Sequence, residues 1–445
     1  MNTQKKSSER IYADAVNVLP GGVSRNTIFH KPHPHYVAGA QGCRVLDVDG
    51  TERIDFANNM ASLIHGHAYP PVVEAVTDQL TRGTAYTLAT EVEVRFAEHL
   101  CQRSESLEKI RFVNSGTEAV MAMIKAARAY TGKHKIAKAE GAYNGTYDYI
   151  EVSQVSSPDN WGDLDHPNRN ALAHGTPPSV LKDVIVYPFN DVERTLALLD
   201  ENANDIACVL IDPIPHRVGL FEASSEFVEA VYDWTRKHDA LMVFDEVITF
   251  RTHYAGKQQD FKVKPDLTAL GKMIGGGFPV GAIGGRSEVM QVMDPNENPL
   301  RLPHSGTFSA NPITMTAGYV AMRDFDQEAV LALNKLTNMA RDRVEEAIRI
   351  ADVPMSTSGT GSMFRIHPKP VSPTSYRYGF QGKAEKALMT KLLDHMFYNE
   401  NVIMVNTGTC MFSTALGEAE VDQLVEGLLN GFKVIAPDLD QIQNT

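Results

Sequence analysis

From about residue 70 to 325 the chain alternates short apolar runs with amphipathic stretches. KIRFV (109–113), IACVLIDPI (206–214) and ALMVFDEV (240–247) are continuous apolar runs, and helical periodicity fills 116–131 and 225–238 between and beyond them. Strands apolar on both faces and joined through helices predict a mainly parallel sheet covered on both sides, an α/β architecture. Upstream, a helical pattern over 5–18 stops at Pro20-Gly21-Gly22, and CRVLDVDGTERIDF (43–56) alternates on both sides of Asp49-Gly50, a hairpin signal. Beyond residue 326 come a helix over 327–350, a strand-like SMFRIHP, a helix over 382–400, the apolar segments NVIMV and TCMFST, and a closing helix. That order predicts a smaller α+β domain of residues 326–445, joined by 1–60, beside a large domain of 61–325.

At 445 residues, 43% hydrophobic and 22% charged, the composition is that of a globular protein of more than one domain. A net charge of -13 without basic runs argues against nucleic-acid binding and turns attention to small molecules. Cys43, Cys101, Cys208 and Cys410 have no paired spacing, so neither a disulfide framework nor a zinc knuckle is expected. Charged residues occupy the N-terminus where an export signal needs an apolar run, and no 18 consecutive residues are apolar, so a soluble cytoplasmic protein without membrane partners is expected.

Candidate chemistry centres on LTALGKMIGGGFPVGAIGG (267–285), an apolar, glycine-rich stretch around one lysine, Lys272. A desolvated lysine is nucleophilic at neutral pH and forms a Schiff base with an aldehyde; a solvated loop lysine does neither. Ser115, Gly116 and Thr117 lie between a strand and a helix start, where they either cap the helix or cradle a phosphate. Asp245 ends an apolar strand and needs a partner, a buried arginine or a protonated pyridine nitrogen. Val247 points the same way as Asp245, as a core residue or as cover for one face of a flat ring. Tyr143, in the glycine-flanked turn EGAYNGTYD, is an exposed loop residue or stacks on the other face. Together these positions meet the needs of pyridoxal 5'-phosphate.

NSGTEA, DEVIT, ALGKMIGGGFPVGAIGGR and HSGTFSANP, with PGGVSR and GHAYP upstream, resemble the class III pyridoxal-phosphate aminotransferases, in the branch of glutamate-1-semialdehyde aminomutase and the β-amino acid aminotransferases. The resemblance implies a fold type I enzyme in which Lys272 carries the cofactor and moves protons at the substrate carbon. Asp245 holds the pyridinium, Tyr143 and Val247 sandwich the ring, and Ser115, Gly116 and Thr117 bind the phosphate. Thr307 reaches the phosphate of the neighbouring subunit in a homodimer with shared sites, and Arg25 holds the carboxylate of a small anionic amine.

The chain departs from that pattern in three places. Asn144 stands where relatives have histidine; IDPIPHRVGL places Asp212 for glutamate and adds His216 and Arg217; and 401–414 lacks the arginine that binds a keto-acid acceptor. A missing acceptor cation favours a reaction with one substrate. The leading expectation is therefore an ammonia-lyase eliminating from a hydroxy-amino phosphonate or similar amine, with Arg25, Asn144, His216 and Arg217 on the substrate. The alternatives are a β- or ω-amino acid aminotransferase with a pyruvate-like acceptor, or an aminomutase. No metal is expected: HKPHPH (30–35) is broken by its prolines, and His65 and His67 in GHAYP are read as pocket wall.

Overall fold

The computed structural model describes residues 7–443. Three strands, β1 (Val37–Gln41), β2 (Arg44–Asp47) and β3 (Glu52–Asp55), form an antiparallel meander. The predicted turn between β2 and β3 is held by Asp47 Oδ1, which accepts from the amides of Asp49 and Thr51. Of the helix expected over 5–18, positions 5 and 6 lie outside the described residues; the helix observed is Ser8–Ala15, capped by Ser7, and 16–18 form a turn.

The main sheet has seven strands: β4 (Lys109–Val113), β5 (Lys135–Ala139), β6 (Val184–Tyr187), β7 (Ile206–Ile211), β8 (Leu241–Asp245), β9 (Leu267–Gly271) and β10 (Gly281–Gly285). Their order is β4-β10-β9-β8-β7-β5-β6, with β6, β5, β7, β8 and β9 parallel and β10 antiparallel to both of its neighbours. The sheet is thus mostly parallel, as expected. β10, glycine-rich and not singled out by its sequence, fits because it passes so close to other backbone: a Cβ on Gly281 would lie 2.0 Å from the Ser115 carbonyl oxygen.

The helix Gly116–Thr131 packs Ala119, Met123 and Ala126 into a core with Ile136, Leu210 and Val243. The helix Ser225–Lys237 packs Phe227, Val231 and Trp234 with Ile211, Met242 and Phe244 of the opposite face. Neighbouring residues of each strand serve opposite cores, which is why the strands read as unbroken apolar runs.

The last four strands are β11 (Ser356–Thr360), β12 (Met363–His367), β13 (Val402–Ile403) and β14 (Thr409–Met411). β11, β12 and β14 form a small antiparallel sheet, while β13 pairs in parallel with β3 and ties the N-terminal meander to the C-terminal segment. The helices Gln327–Ala351, Lys383–Tyr398 and Glu418–Gln443 pack together through fully buried residues such as Leu392, Leu428 and Phe432, each contributing about 1.5–3 kcal/mol of apolar burial. All four cysteines are unpaired. No helix of the described residues is long and apolar enough to cross a membrane.

Candidate active site

The carboxyl ends of β5, β7, β8 and β9 and the turn after β4 converge on one cavity of about 580 Å³. Arg25, Ser115, Gly116, Thr117, Tyr143, Asn144, Asp212, Asp245, Val247 and Lys272 all line it, so most of the residues named from the sequence meet in one place.

Lys272 directly follows β9 at φ +49, a left-handed conformation that costs a non-glycine residue of order 1 kcal/mol and is retained at functional sites. Burial lowers its amine below the ordinary lysine range, with the charges of Asp245 and Asp212 opposing. Burial raises the Asp245 carboxyl; Asn144, the Val247 amide and Lys272 pull it back. Asp245 Oδ2 accepts from Asn144 Nδ2 at 2.8 Å and Oδ1 from the Val247 amide at 3.1 Å. Asp212 is pushed well above the carboxylate range by burial and then by the charge of Asp245, and one of its oxygens accepts from the Ile214 amide at 3.0 Å. Glu246, next to Asp245, turns the other way and accepts from the amides of Lys257 and Gln258 and the Thr249 hydroxyl, holding a loop.

Ser115 caps the helix Gly116–Thr131, its Oγ accepting from the Glu118 amide at 3.1 Å. Capping leaves the amides of Gly116 and Thr117, first in the helix, without intrahelical partners at the positive end of its dipole. Val247 packs directly on this turn: a Cβ on Gly116 would lie 2.8 Å from Val247 Cγ1. Arg25 Nη1 donates to Asn59 Oδ1 at 2.9 Å, both residues lining the cavity.

These residues fit pyridoxal 5'-phosphate. Asn144 Oδ1 is buried without a partner. Among the described residues, Lys272 has no ion-pair partner within 4 Å; Asp245 carries a buried carboxyl aimed into the cavity; and a helix start offers unpaired amides for an anion.

Other expected residues lie elsewhere. His216 and Arg217 do not line this cavity: Arg217 stacks its guanidinium 4.9 Å from the centre of the Tyr143 ring. His216 Nε2 lies 3.2 Å from the hydroxyls of both Thr407 and Thr409, and burial, then Arg365, lower its pKa to about 3, so it is neutral and supplies no charge. Thr307 is exposed and outside the cavity of its own chain. His65 and His67 line a neighbouring cavity that shares Gly277 and Phe278 with this one, where His65 bonds Thr414 and the Ala321 carbonyl and His67 bonds Asp55. Of the histidine-rich segment, His35 approaches Asp47 and Asp49, but Asp47 is already bound by Arg53 at 2.6 Å.

Sequence reasoning missed Arg365. It stands on β12 directly across from Thr409 of β14, buried, and donates to the carbonyls of His216 and Thr407 at 3.1 Å each, with no carboxylate partner among the described residues. Cross-strand register, which the linear spacing does not display, brings this cation beside the 401–414 segment that lacks one.

Residues 28–375 match the aminotransferase class-III family, and the chain belongs to it. It is 36% identical to a glutamate-1-semialdehyde 2,1-aminomutase of Methanothermobacter thermautotrophicus over 96% of this chain and 99% of that protein. Its fold is similar to that of an omega-transaminase from Sphaerobacter thermophilus, at TM-score 0.94 and 42% identity over 98% of this chain and 99% of that one. It is also similar to a transaminase solved with pyridoxal phosphate bound, at TM-score 0.88 and 38% identity over 96% and 97% of the two chains. Pyridoxal 5'-phosphate is the cofactor, and the fold is the fold type I of these enzymes. The expected ammonia-lyase is overturned: the relatives are named aminomutases and transaminases.

Proposed function

We propose that the chain is an aminotransferase that moves the amino group of a β- or ω-amino acid to a small keto acid, as a homodimer. The observation that carries this reading is Arg25, which lines the same cavity as Lys272 and Asp245. A guanidinium there suits the carboxylate of a substrate whose amine lies at Lys272. The likeness to an omega-transaminase over the whole chain supports it.

When bound, the cofactor supplies an aldehyde that takes the amino group and a ring that draws electrons from the substrate carbon. Lys272 Nζ would hold the aldehyde and would move a proton at the substrate carbon. Asp245 keeps a proton on the ring nitrogen, and Asn144 fixes the carboxyl that does so. The amides and hydroxyls of Ser115, Gly116 and Thr117 hold the phosphate, Tyr143 and Val247 cover the ring faces, and Arg25 orients the carboxylate. Arg25 serves the carboxylate of the keto acid in its turn. Thr307, beside the exposed Phe308, serves the phosphate of a second copy. Residues 61–325 form the large domain, and 1–60 with 326–445 the small one.

A second reading, an aminomutase, is favoured by the names of the curated relatives. One experiment separates the two. The enzyme is mixed with a β-amino acid alone while the cofactor absorbance is followed, and pyruvate is then added. An aminotransferase loses the aldehyde band in one turnover and regains it with pyruvate. No spectral change with any β- or ω-amino acid, but conversion of glutamate-1-semialdehyde without an acceptor, would establish the aminomutase.

A further inference from the structure

A fully buried lysine, Lys138, stands outside the chemistry described so far. Lys138 lies on β5 with its side chain fully buried, in register with the apolar Val186 of β6 and Leu210 of β7. Ile136, two residues earlier on the same face, shows what such a core position ordinarily holds. A buried ammonium is expensive without partners. Among the described residues no carboxylate pairs with Lys138; its Nζ donates instead to the carbonyls of Ala139 at 3.2 Å, Ala142 at 3.1 Å and Val152 at 3.0 Å.

Three N–H groups thus meet three carbonyls, the full donor set of an ammonium. Ala139 and Ala142 lead into the turn of Tyr143 and Asn144, and Val152 ends the segment that returns from it. One cation therefore closes both ends of the loop that projects the Tyr143 ring and the Asn144 amide into the cavity. That loop contains Gly141 at φ +76 and Gly145 at φ +115, positions that give an unclamped chain many alternatives. Glu140 reinforces the clamp from outside, accepting from Arg377 Nε at 2.9 Å and Nη2 at 3.2 Å.

We propose that Lys138 is a positioning residue: its ammonium holds the Tyr143–Asn144 turn against Asp245 and thereby sets how firmly the cofactor ring is gripped. This rests on the proposed placement of Tyr143 and Asn144 at the ring, and not on the identity of the amino donor or acceptor.

The clamp is sensitive to pH in a defined direction. Burial lowers the Lys138 amine to about 7, with the Glu140 carboxylate opposing as the one charge acting on it; the flanking Val186 and Leu210 carry none. Above that value the amine keeps two N–H groups for three carbonyls, and the turn loosens.

The test follows release of cofactor from the holoenzyme into cofactor-free buffer between about pH 6 and 9, by absorbance and by the circular dichroism of the bound cofactor; no turnover enters the readout. The wild type releases cofactor faster as the pH rises through Lys138 titration. Lys138→Met releases it about tenfold faster at low pH, with a weakened dichroic band and without that pH step. Glu140→Gln, which removes the charge sustaining the ammonium, moves the step to lower pH, and decides the matter alone if Lys138→Met does not fold. A Lys138→Met protein with the wild-type band and pH step, or a Glu140→Gln protein with an unmoved step, overturns the proposal. Because no substrate is used, failure of the aminotransferase reading leaves this result standing.

Discussion

Asn144 and Asp245 are joined by a hydrogen bond of 2.8 Å that crosses from the turn after β5 to the end of β8. The residues are 101 positions apart, and the bond makes a neutral amide the positioner of a buried acid. Removing a hydrogen bond to a charged group costs about 1.5–3 kcal/mol, so Asn144→Ala is expected to lower kcat/KM roughly 10- to 100-fold. Asn144→His, the residue the family resemblance leads one to expect there, recovers part of the loss. Steady-state kinetics with bound cofactor quantified in parallel checks both.

Lys272 tests the assignment of the nucleophile. Borohydride is expected to fix the cofactor to the wild-type chain, seen as added mass on the peptide containing Lys272. Lys272→Ala retains cofactor without covalent fixation and shows no repeated turnover. Repeated turnover by that variant would remove Lys272 from the chemistry.

Arg25 lines the cavity but bonds Asn59 rather than Lys272, Asp245 or Asn144, so its loss should leave those positions intact. Arg25→Ala is expected to raise KM for a β-amino acid by one to two orders of magnitude, through loss of about 2–3 kcal/mol of charge-assisted bonding. Uncharged amines should show no comparable change. An equal effect on both substrate types would place Arg25 in structure instead.

Arg365 is buried outside the cavity and ties the carbonyls of His216 and Thr407 together. Arg365→Met leaves both carbonyls unpaired and is expected to lower Tm, while KM for the amine and for the keto acid shift by no more than about twofold. Thermal unfolding, with kinetics in which both substrates are varied, checks this.

Acid stability follows from the two histidines that face Arg365. Burial, then the Arg365 charge, lowers both His216 and His367 to about 3, against the ordinary 6.5. Between those values the unfolded chain binds protons that the folded chain refuses, so stability is full above about pH 6.5 and falls as the pH drops toward 3. Tm should therefore decline on acidification in this window, and His367→Gln should decline less steeply.

Much of the cavity's lining was legible because its residues sit at strand ends, and strand ends are visible as the close of apolar runs. Ser115 to Thr117, Asp245 and Lys272 follow β4, β8 and β9 in this way, and parallel strands carry their carboxyl ends to one edge of the sheet. β10 was not legible, because glycines chosen for close backbone approach leave no apolar pattern.

What the sequence by itself determined is the mostly parallel sheet, the cofactor and the family, since each is written in local runs and motifs that fold the same way wherever they occur. Only the tertiary structure decided which charges face which groups. His216 is neutral, because it is buried beside Arg365; Arg365 stands where 401–414 has no cation, because β12 and β14 pair in that register; and Lys138 is a clamp, because its chain folds back at Val152. Charge and hydrogen bonding depend on distance in space, and that distance is set by packing.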